Sequence, residues 1–464
     1  MSATGHPRLR RALAAVAWTL LSIVAVAGVW VAVGLPSAKR AAAQVYPEPA
    51  AVRPADVGLA AQRAPGFRPE RPTVAILLAG GGTNIADTLA PYEVFARSGI
   101  VNVFLVAEEP GPITLGGGLT VLPQRTFAEI EEMTGGAPEV IVVAQMHGDR
   151  DSEMRWVADT LDKNPDTLVM SVCVGAADIA DVGILGGRRA TTHWLKLVGL
   201  RREPGDTDWV DGVRFVEDGP TITAAGVLSG IDAAMRVVER LGGGDQLPRI
   251  SREIHWRGYG SGAGVDIDPA ALGPGDLPFA LSAAFRWDRP RNGVLLTPGV
   301  GEIELASAFR PYTELSWLAT LTAVSPDGGP VTSRHGVTVI PASDVAGAGG
   351  IDRLLVPGAE AARTGVAAAV VGDGPEPTYL HRSDRFAFDP VLDDIAVHYD
   401  RATASWVAKS LQYPVDVPAA GRDGVAPWPW AQTAIAATLA AAAIGLVQLV
   451  RISVRVLRDR RRSS

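Results

Sequence analysis

Two uninterrupted apolar segments bracket this 464-residue chain and set the outer limits of what it can fold into. The first, Ala12 to Leu35, runs 24 residues without a charge. At about 1.5 Å of helical rise per residue that is enough to cross a hydrocarbon core of about 30 Å. The second occupies residues 429–450, with its apolar run from Ala431 to Val450. Trp428 and Trp430 flank it where amphipathic rings favour a membrane interface, and Arg451, Arg455, Arg458, Arg460, Arg461 and Arg462 follow. Basic flanks stay cytoplasmic, so two transmembrane helices with both termini in the cytoplasm are predicted, and Arg8, Arg10 and Arg11 agree. Lys39 and Arg40, beyond the first span, weaken that flank's bias. A cleaved signal peptide is the rival for the N-terminus, since Ala41, Ala42 and Ala43 offer small residues. Its apolar run, however, exceeds a typical signal core. Under either reading the central region is extracytoplasmic and the protein sits in the cell membrane.

Charge sharpens the partition. Residues 1–11, a cytoplasmic tail, contribute +3 and the basic tail 451–464 contributes +5, so the chain's −7 leaves −15 for the region between them. An acidic exported region excludes nucleic acid as its partner. One cysteine in the whole chain excludes an internal disulfide framework and any cysteine-cluster zinc site.

Residues 41–71 are rich in Pro and Ala and read as a semi-stiff linker. Beyond it, the short apolar runs VAILLAG, VNVFLV, EVIVVA and TLVMSV alternate with helical patterns, as in a parallel sheet covered on both faces. Residues 73–245 form this α/β domain and 246–290, with scattered Pro and Gly, a connector. Residues 291–415 then repeat the opening pattern: GVLLTPG answers VAILLAG, and GVTVIP (336–341) answers GLTVLP (118–123). Two parallel-sheet sandwich domains between two membrane helices are therefore predicted.

The chemistry converges on Cys173, in TLVMSVCVGAADIADVG, where a buried strand turns into a helix starting near Gly175. Ligands of open α/β sheets bind at that edge, and the amides of the following helix favour a thiolate. The small residues Val174, Gly175 and Ala176 would let backbone N–H groups approach a developing oxyanion. A structural buried cysteine is the alternative reading of the same residue. Gly80, Gly81 and Gly82 lack phosphate-loop spacing and read as a tight turn at the pocket rim. His147, His255, His335, His381 and His398 show no metal-ligand spacing, so neither a metal nor a cofactor is expected.

Four motifs in order, ADTLAPYEVFARSG (86–99), SVCVGA (171–176), RRATTHW (188–194) and AGVLSGIDAAMRVVERLGG (225–243), resemble the DJ-1/PfpI family of the class I glutamine-amidotransferase-like fold. The nearest flavour is that of isocyanide hydratases and the N-terminal domains of AraC-type regulators. The resemblance implies a flavodoxin-like sandwich in which Cys173 is the nucleophile and Asp87 the acidic residue leaning over it, with His193 as the nearby histidine. A carboxylate beside a thiolate would have its pKa raised and could hold a proton to donate. Read without the resemblance, Asp87 is better explained as a solvated helix N-cap.

Two departures matter. Val174 stands where peptidase members carry histidine, which argues against proteolysis. In place of a regulator's helix-turn-helix stand a second domain and a membrane span. The second copy has no cysteine; Glu302 or Glu304 is the candidate counterpart of Asp87, and the two copies are expected to pack as an internal pseudo-dimer. The expected function is cysteine-dependent hydration or hydrolysis of a small electrophilic substrate, with His193 and the backbone amides near Gly175 stabilising charge and Gly81, Gly82, Val174 and Gly175 lining the pocket. A non-catalytic ligand or redox sensor, or a scaffold in a membrane complex, is the alternative.

Overall fold

The computed structural model describes residues 7–257, 259, 266–276, 278–279, 285–369, 374–413 and 430–460. Trp428, Arg461, Arg462 and parts of the predicted connector and second-domain boundary lie outside the described residues. Two units are distinguished. The smaller contains two long helices, Pro7–Ala43 and Trp430–Arg460, both long and apolar enough to cross a membrane. Their apolar side chains are exposed, Leu13 at 61% and Leu446 at 64%, as on helices whose solvent is not water. In the same unit Trp30 meets Phe285 edge to face at 5.2 Å, and Gln432 Nε2 donates to Asp288 Oδ1 at 3.4 Å. The first helix continues past Leu35 through Lys39 and Arg40 to Ala43, so the linker starts later than its composition suggests.

The larger unit is α/β, built on parallel sheet. Its strands are β1 (Thr73–Leu77), β2 (Asn102–Ala107), β3 (Ile113–Leu115), β4 (Leu119–Leu122), β5 (Arg125–Thr126), β6 (Val140–Val143), β7 (Leu168–Val172), β8 (Arg189–Ala190), β9 (Asp208–Trp209), β10 (Phe215–Asp218) and β11 (Thr221–Ala224). The main sheet runs β10-β11-β7-β6-β1-β2-β5, and only the β10–β11 pair is antiparallel. Because side chains alternate across a strand, β1 feeds two cores. Val74 and Ile76 join one cluster, and Ala75 and Leu77 the other.

After these come β12 (Arg291–Leu295), β13 (Thr320–Ser325), β14 (Val331–Thr332), β15 (Thr338–Ile340), β16 (Ser343–Asp344), β17 (Arg353–Val356) and β18 (Pro377–Tyr379). Five of them form a second, all-parallel sheet, β16-β13-β12-β17-β18, whose order repeats β5-β2-β1-β6-β7 of the first, while β14 and β15 join β4 and β3 in a small antiparallel sheet. The two related hexapeptides meet directly. β4 and β15 pair antiparallel with Val121 opposite Val339, Thr120 opposite Ile340 and Leu122 opposite Thr338, a reciprocal register centred on one pair.

The helices Ile85–Ser98 and Glu302–Phe309 lie in the shared core between the sheets, and residues 85–95 and 302–309 are buried on every side. A helix buried all round needs no polar face, which is why the apolar pattern of residues 85–95 shows no clean amphipathic stripe. The expected free linker is instead partly folded onto this unit. Pro54–Val57 and Leu59–Arg63 are short helices. The Gly117 amide donates to the Val45 carbonyl at 2.7 Å, and Thr114 Oγ1 to the Pro47 carbonyl at 2.9 Å.

Candidate active site

Strands β7, β6 and β1 are neighbours, so their C-terminal ends bring Cys173, Gln145 and the start of the Ile85–Ser98 helix to one edge of the sheet. Cys173 follows β7 directly and takes φ 57°, a left-handed conformation uncommon for a residue with a side chain. Its backbone is pinned from both sides. The Cys173 amide donates to the Ala224 carbonyl at 3.1 Å, and Thr192 Oγ1 donates to the Cys173 carbonyl at 2.7 Å. Immediately afterwards the helix Gly175–Asp181 starts against β6. A Cβ on Gly175 would stand 2.3 Å from the Val143 carbonyl oxygen, so only glycine permits this approach.

Asn84 caps the Ile85–Ser98 helix, its Oδ1 accepting from the amides of Ala86 at 3.0 Å and Asp87 at 3.2 Å. Asp87 is fully buried. Its Oδ2 accepts the Gln145 amide at 3.3 Å, whereas its Oδ1 is buried with no hydrogen-bond partner. The Cys173 thiol reaches the same residue from the other side, donating to Gln145 Oε1 at 3.5 Å. Cys173 and Asp87 are thus bridged by the backbone and side chain of one glutamine.

Electrostatics overturn one expectation. Burial, reinforced by the Asp87 and Glu314 carboxyls, raises the Cys173 thiol well above its ordinary range. Arg310 and the Val174 amide oppose this without reversing it. The helix behind the thiol has seven residues, and its dipole does not offset complete desolvation. Asp87 is likewise pushed up to about 8, first by burial and then by Glu314. At neutral pH the resting site therefore holds a thiol and a carboxylic acid.

His193 is also corrected. It caps the helix Trp194–Leu200, its Nδ1 accepting the Leu195 amide at 3.4 Å, and its Nε2 faces the Ser410 carbonyl at 3.0 Å. Both ring nitrogens are committed, and burial lowers its pKa to about 4, so it carries no charge to stabilise an anion. Of the rim glycines, Gly82 gives its amide to the Ala79 carbonyl at 2.9 Å. Gly81 is obligatory for packing: a Cβ there would lie 2.2 Å from the His147 carbonyl oxygen.

Four further residues complete the site. Glu314 accepts Asn84 Nδ2 at 2.7 Å and Gln145 Nε2 at 2.6 Å, and lies 3.3 Å from Arg310 Nε. Tyr46, from the segment read as linker, stacks on His147 with ring centroids 4.8 Å apart. Gln145 was open to inference as the first polar side chain beyond β6. Nothing in the local sequence marks Tyr46, Arg310 or Glu314, because long-range packing brings them in.

The corresponding place in the second sheet is chemically different. Ser171 pairs with Val143 and Cys173 follows two residues on; Tyr379 pairs with Val356 and His381 follows two residues on. Glu304, the third residue of its helix as Asp87 is of its own, accepts the Ala359 amide at 2.7 Å. His381 is buried, takes the Gly358 amide at Nδ1 (2.9 Å) and faces Ala387 O and Ser307 Oγ, both at 3.1 Å, through Nε2. It is a satisfied neutral histidine, a role in keeping with its lack of metal-ligand spacing.

His335 also departs from expectation, since it joins Glu93 and Glu302 in a group compact enough for a metal ion. The donor atoms are already engaged. Glu302 holds His335 Nδ1 at 2.7 Å and Ser333 Oγ at 2.6 Å, and Glu93 holds Arg97 at 2.6 Å and the Ile303 amide at 2.7 Å. The group works as a hydrogen-bond network joining the two helices.

Comparison with known proteins finds matches over the first α/β domain. Residues 72–240 match the model of the DJ-1/PfpI family. An isonitrile hydratase from Pseudomonas putida is 30% identical over 175 residues, 37% of this chain and 72% of that one. Among solved structures, Drosophila melanogaster DJ-1beta matches at 19% identity and TM-score 0.35, covering 40% of this chain and 98% of its own. An AraC family transcriptional regulator from Pseudomonas putida matches at 14% identity and TM-score 0.34, covering 40% and 99% respectively.

Proposed function

Because the chain belongs to the DJ-1/PfpI family, we propose that it is a membrane-anchored hydratase of small electrophiles, with Cys173 as nucleophile and Asp87 as proton donor. The bridge between the two through Gln145 carries this reading. The relative is named for isonitriles, and a neutral thiol beside a neutral carboxylic acid suits such a substrate. The thiol adds to the isonitrile carbon, sulfur and the thiol proton both bonding to that carbon, which gives a thioimidate. Asp87 then protonates the nitrogen while water attacks the carbon and returns a proton to the carboxylate. Collapse of the adduct expels the sulfur, which recovers a proton from the attacking oxygen, and a formamide is released. The net change is addition of one water.

The second sheet is the catalytically silent half of an internal pseudo-dimer, a reading supported by the repeated strand order and the reciprocal β4–β15 register. The two long helices anchor the protein with both ends cytoplasmic and the larger unit outside, supported by the arginine-rich C-terminal flank. A redox-sensing role fits less well, because oxidation proceeds through a thiolate and burial disfavours that form here.

The test is hydration of methyl isonitrile by the full-length protein in detergent, followed as N-methylformamide release. Cys173→Ala should abolish turnover. Equal rates for Cys173→Ala and the parent protein would overturn the assignment.

A further inference from the structure

Residues 45–50 run against the β3–β4 hairpin, which belongs to the small sheet β14-β15-β4-β3 and not to the main sheet. Three hydrogen bonds hold them there: Gly117 N–H to the Val45 carbonyl at 2.7 Å, Thr114 Oγ1 to the Pro47 carbonyl at 2.9 Å, and the Ala50 amide to Thr120 Oγ1 at 2.8 Å. Between these anchors the Tyr46 ring stacks on His147 at 4.8 Å and lies over Gly82. A Cβ on Gly82 would stand 2.5 Å from Tyr46 Cδ1, so the absence of a side chain at Gly82 makes room for the ring. The Tyr46 hydroxyl is buried and has no hydrogen-bond partner, and Asp87 Oδ1 is in the same condition. A Cβ on Gly116 would stand 3.6 Å from both the Tyr46 hydroxyl oxygen and the Ile85 amide nitrogen, which puts the phenol at the start of the helix that carries Asp87.

Buried hydroxyls and carboxyls are ordinarily paired, so two orphans in one cluster beside a thiol mark the place of a ligand's polar atom. The charge of the walls restricts what that ligand can be. Glu314 and Arg310 neutralise each other at 3.3 Å, and among the described residues Arg310 is the cation that acts on Asp87, so an anion would meet a charge already paired. Space restricts it further, since Cys173 and Asp87 are both buried.

We propose that Tyr46 closes the Cys173 pocket and, with Asp87 Oδ1, donates hydrogen bonds to the ligand, so that the site admits small uncharged molecules whose reacting carbon bears an acceptor atom or gains an acceptor neighbour once sulfur has added. Tyr46 is thereby a specificity-determining residue contributed from outside the 72–240 family match. This rests on the reading of Cys173 and Asp87 as the reacting pair.

The test uses the full-length protein in detergent and follows alkylation of its single cysteine. N-methylformamide should protect Cys173 from iodoacetamide, and formate should not. Tyr46→Phe keeps the ring and should weaken that protection about tenfold, the worth of one hydrogen bond. Tyr46→Ala should admit N-ethylmaleimide, a bulkier reagent that the parent excludes. Absence of protection in the parent would overturn the ligand class, and equal protection in Tyr46→Phe would overturn the role of the hydroxyl. N-ethylmaleimide reacting equally with the parent and Tyr46→Ala would overturn the closure. Protection that persists while methyl isonitrile is not hydrated would refute the hydratase reading and leave this one standing.

Discussion

At the scale of single residues, two buried titrating groups pull stability in opposite directions. Asp87 is raised from 3.8 to about 8, so burial of its neutral form favours the fold at low pH, and that contribution is lost as pH climbs from about 4 through 8. His193 is lowered from 6.5 to about 4, so its contribution is present above 6.5 and is lost as pH falls toward 4. Thermal melts across pH 4 to 9 should therefore show Asp87→Asn removing the alkaline decline and His193→Gln flattening the acid one. In turnover Asp87→Asn should cost about 10²- to 10⁴-fold, the usual worth of a positioned proton donor. His193→Gln should lower the melting temperature with kcat little changed, since both ring nitrogens serve the fold. That Cys173 and Asp87 meet at one sheet edge was legible in the motifs that carry them, and so was a raised carboxyl at Asp87. The neutral thiol and the main cause of the Asp87 shift were not: a carboxyl three residues past a helix cap reads as solvated, whereas burial is what raises both groups most.

At the scale of elements, the helix Glu302–Phe309 and the turn after it reach into the first domain's site through Arg310 and Glu314. Glu314 raises Asp87 and Arg310 lowers it, so Glu314→Gln removes the raising charge and leaves the lowering one uncompensated. The alkaline limb of the turnover profile, set by Asp87 near 8, should move to lower pH in Glu314→Gln. An unmoved limb would mean that Glu314 does not sense Asp87. The pairing of β4 with β15 was half legible. The likeness of GLTVLP and GVTVIP was plain in the chain, but that the two strands bond to each other was not, because a repeat does not say how its copies meet.

For the whole molecule, the long terminal helices were the most legible feature, since length and apolarity alone define them. The proposed sidedness makes a labelling prediction. The lone native cysteine is buried, so introduced cysteines report cleanly. A membrane-impermeant maleimide on intact cells should label Glu109→Cys, an exposed position of the larger unit, and should reach Ser464→Cys only after permeabilisation. The opposite pattern would invert the orientation. The linker was the least legible region: its prolines describe a spacer, whereas contacts with Thr114, Gly117 and Thr120 dock it on the β3–β4 hairpin.

The reciprocal pairing around Val121 and Val339 has an evolutionary corollary. In an assembly of identical subunits every substitution enters twice, so a change that suits one side of the dyad is imposed on the other. When both sides are written in one polypeptide they drift separately. One half can keep a thiol at the end of its strand while the other settles for a histidine whose task is to pair buried polar groups, and Arg310 and Glu314 can be specialised to serve a neighbour's pocket without being copied into their own.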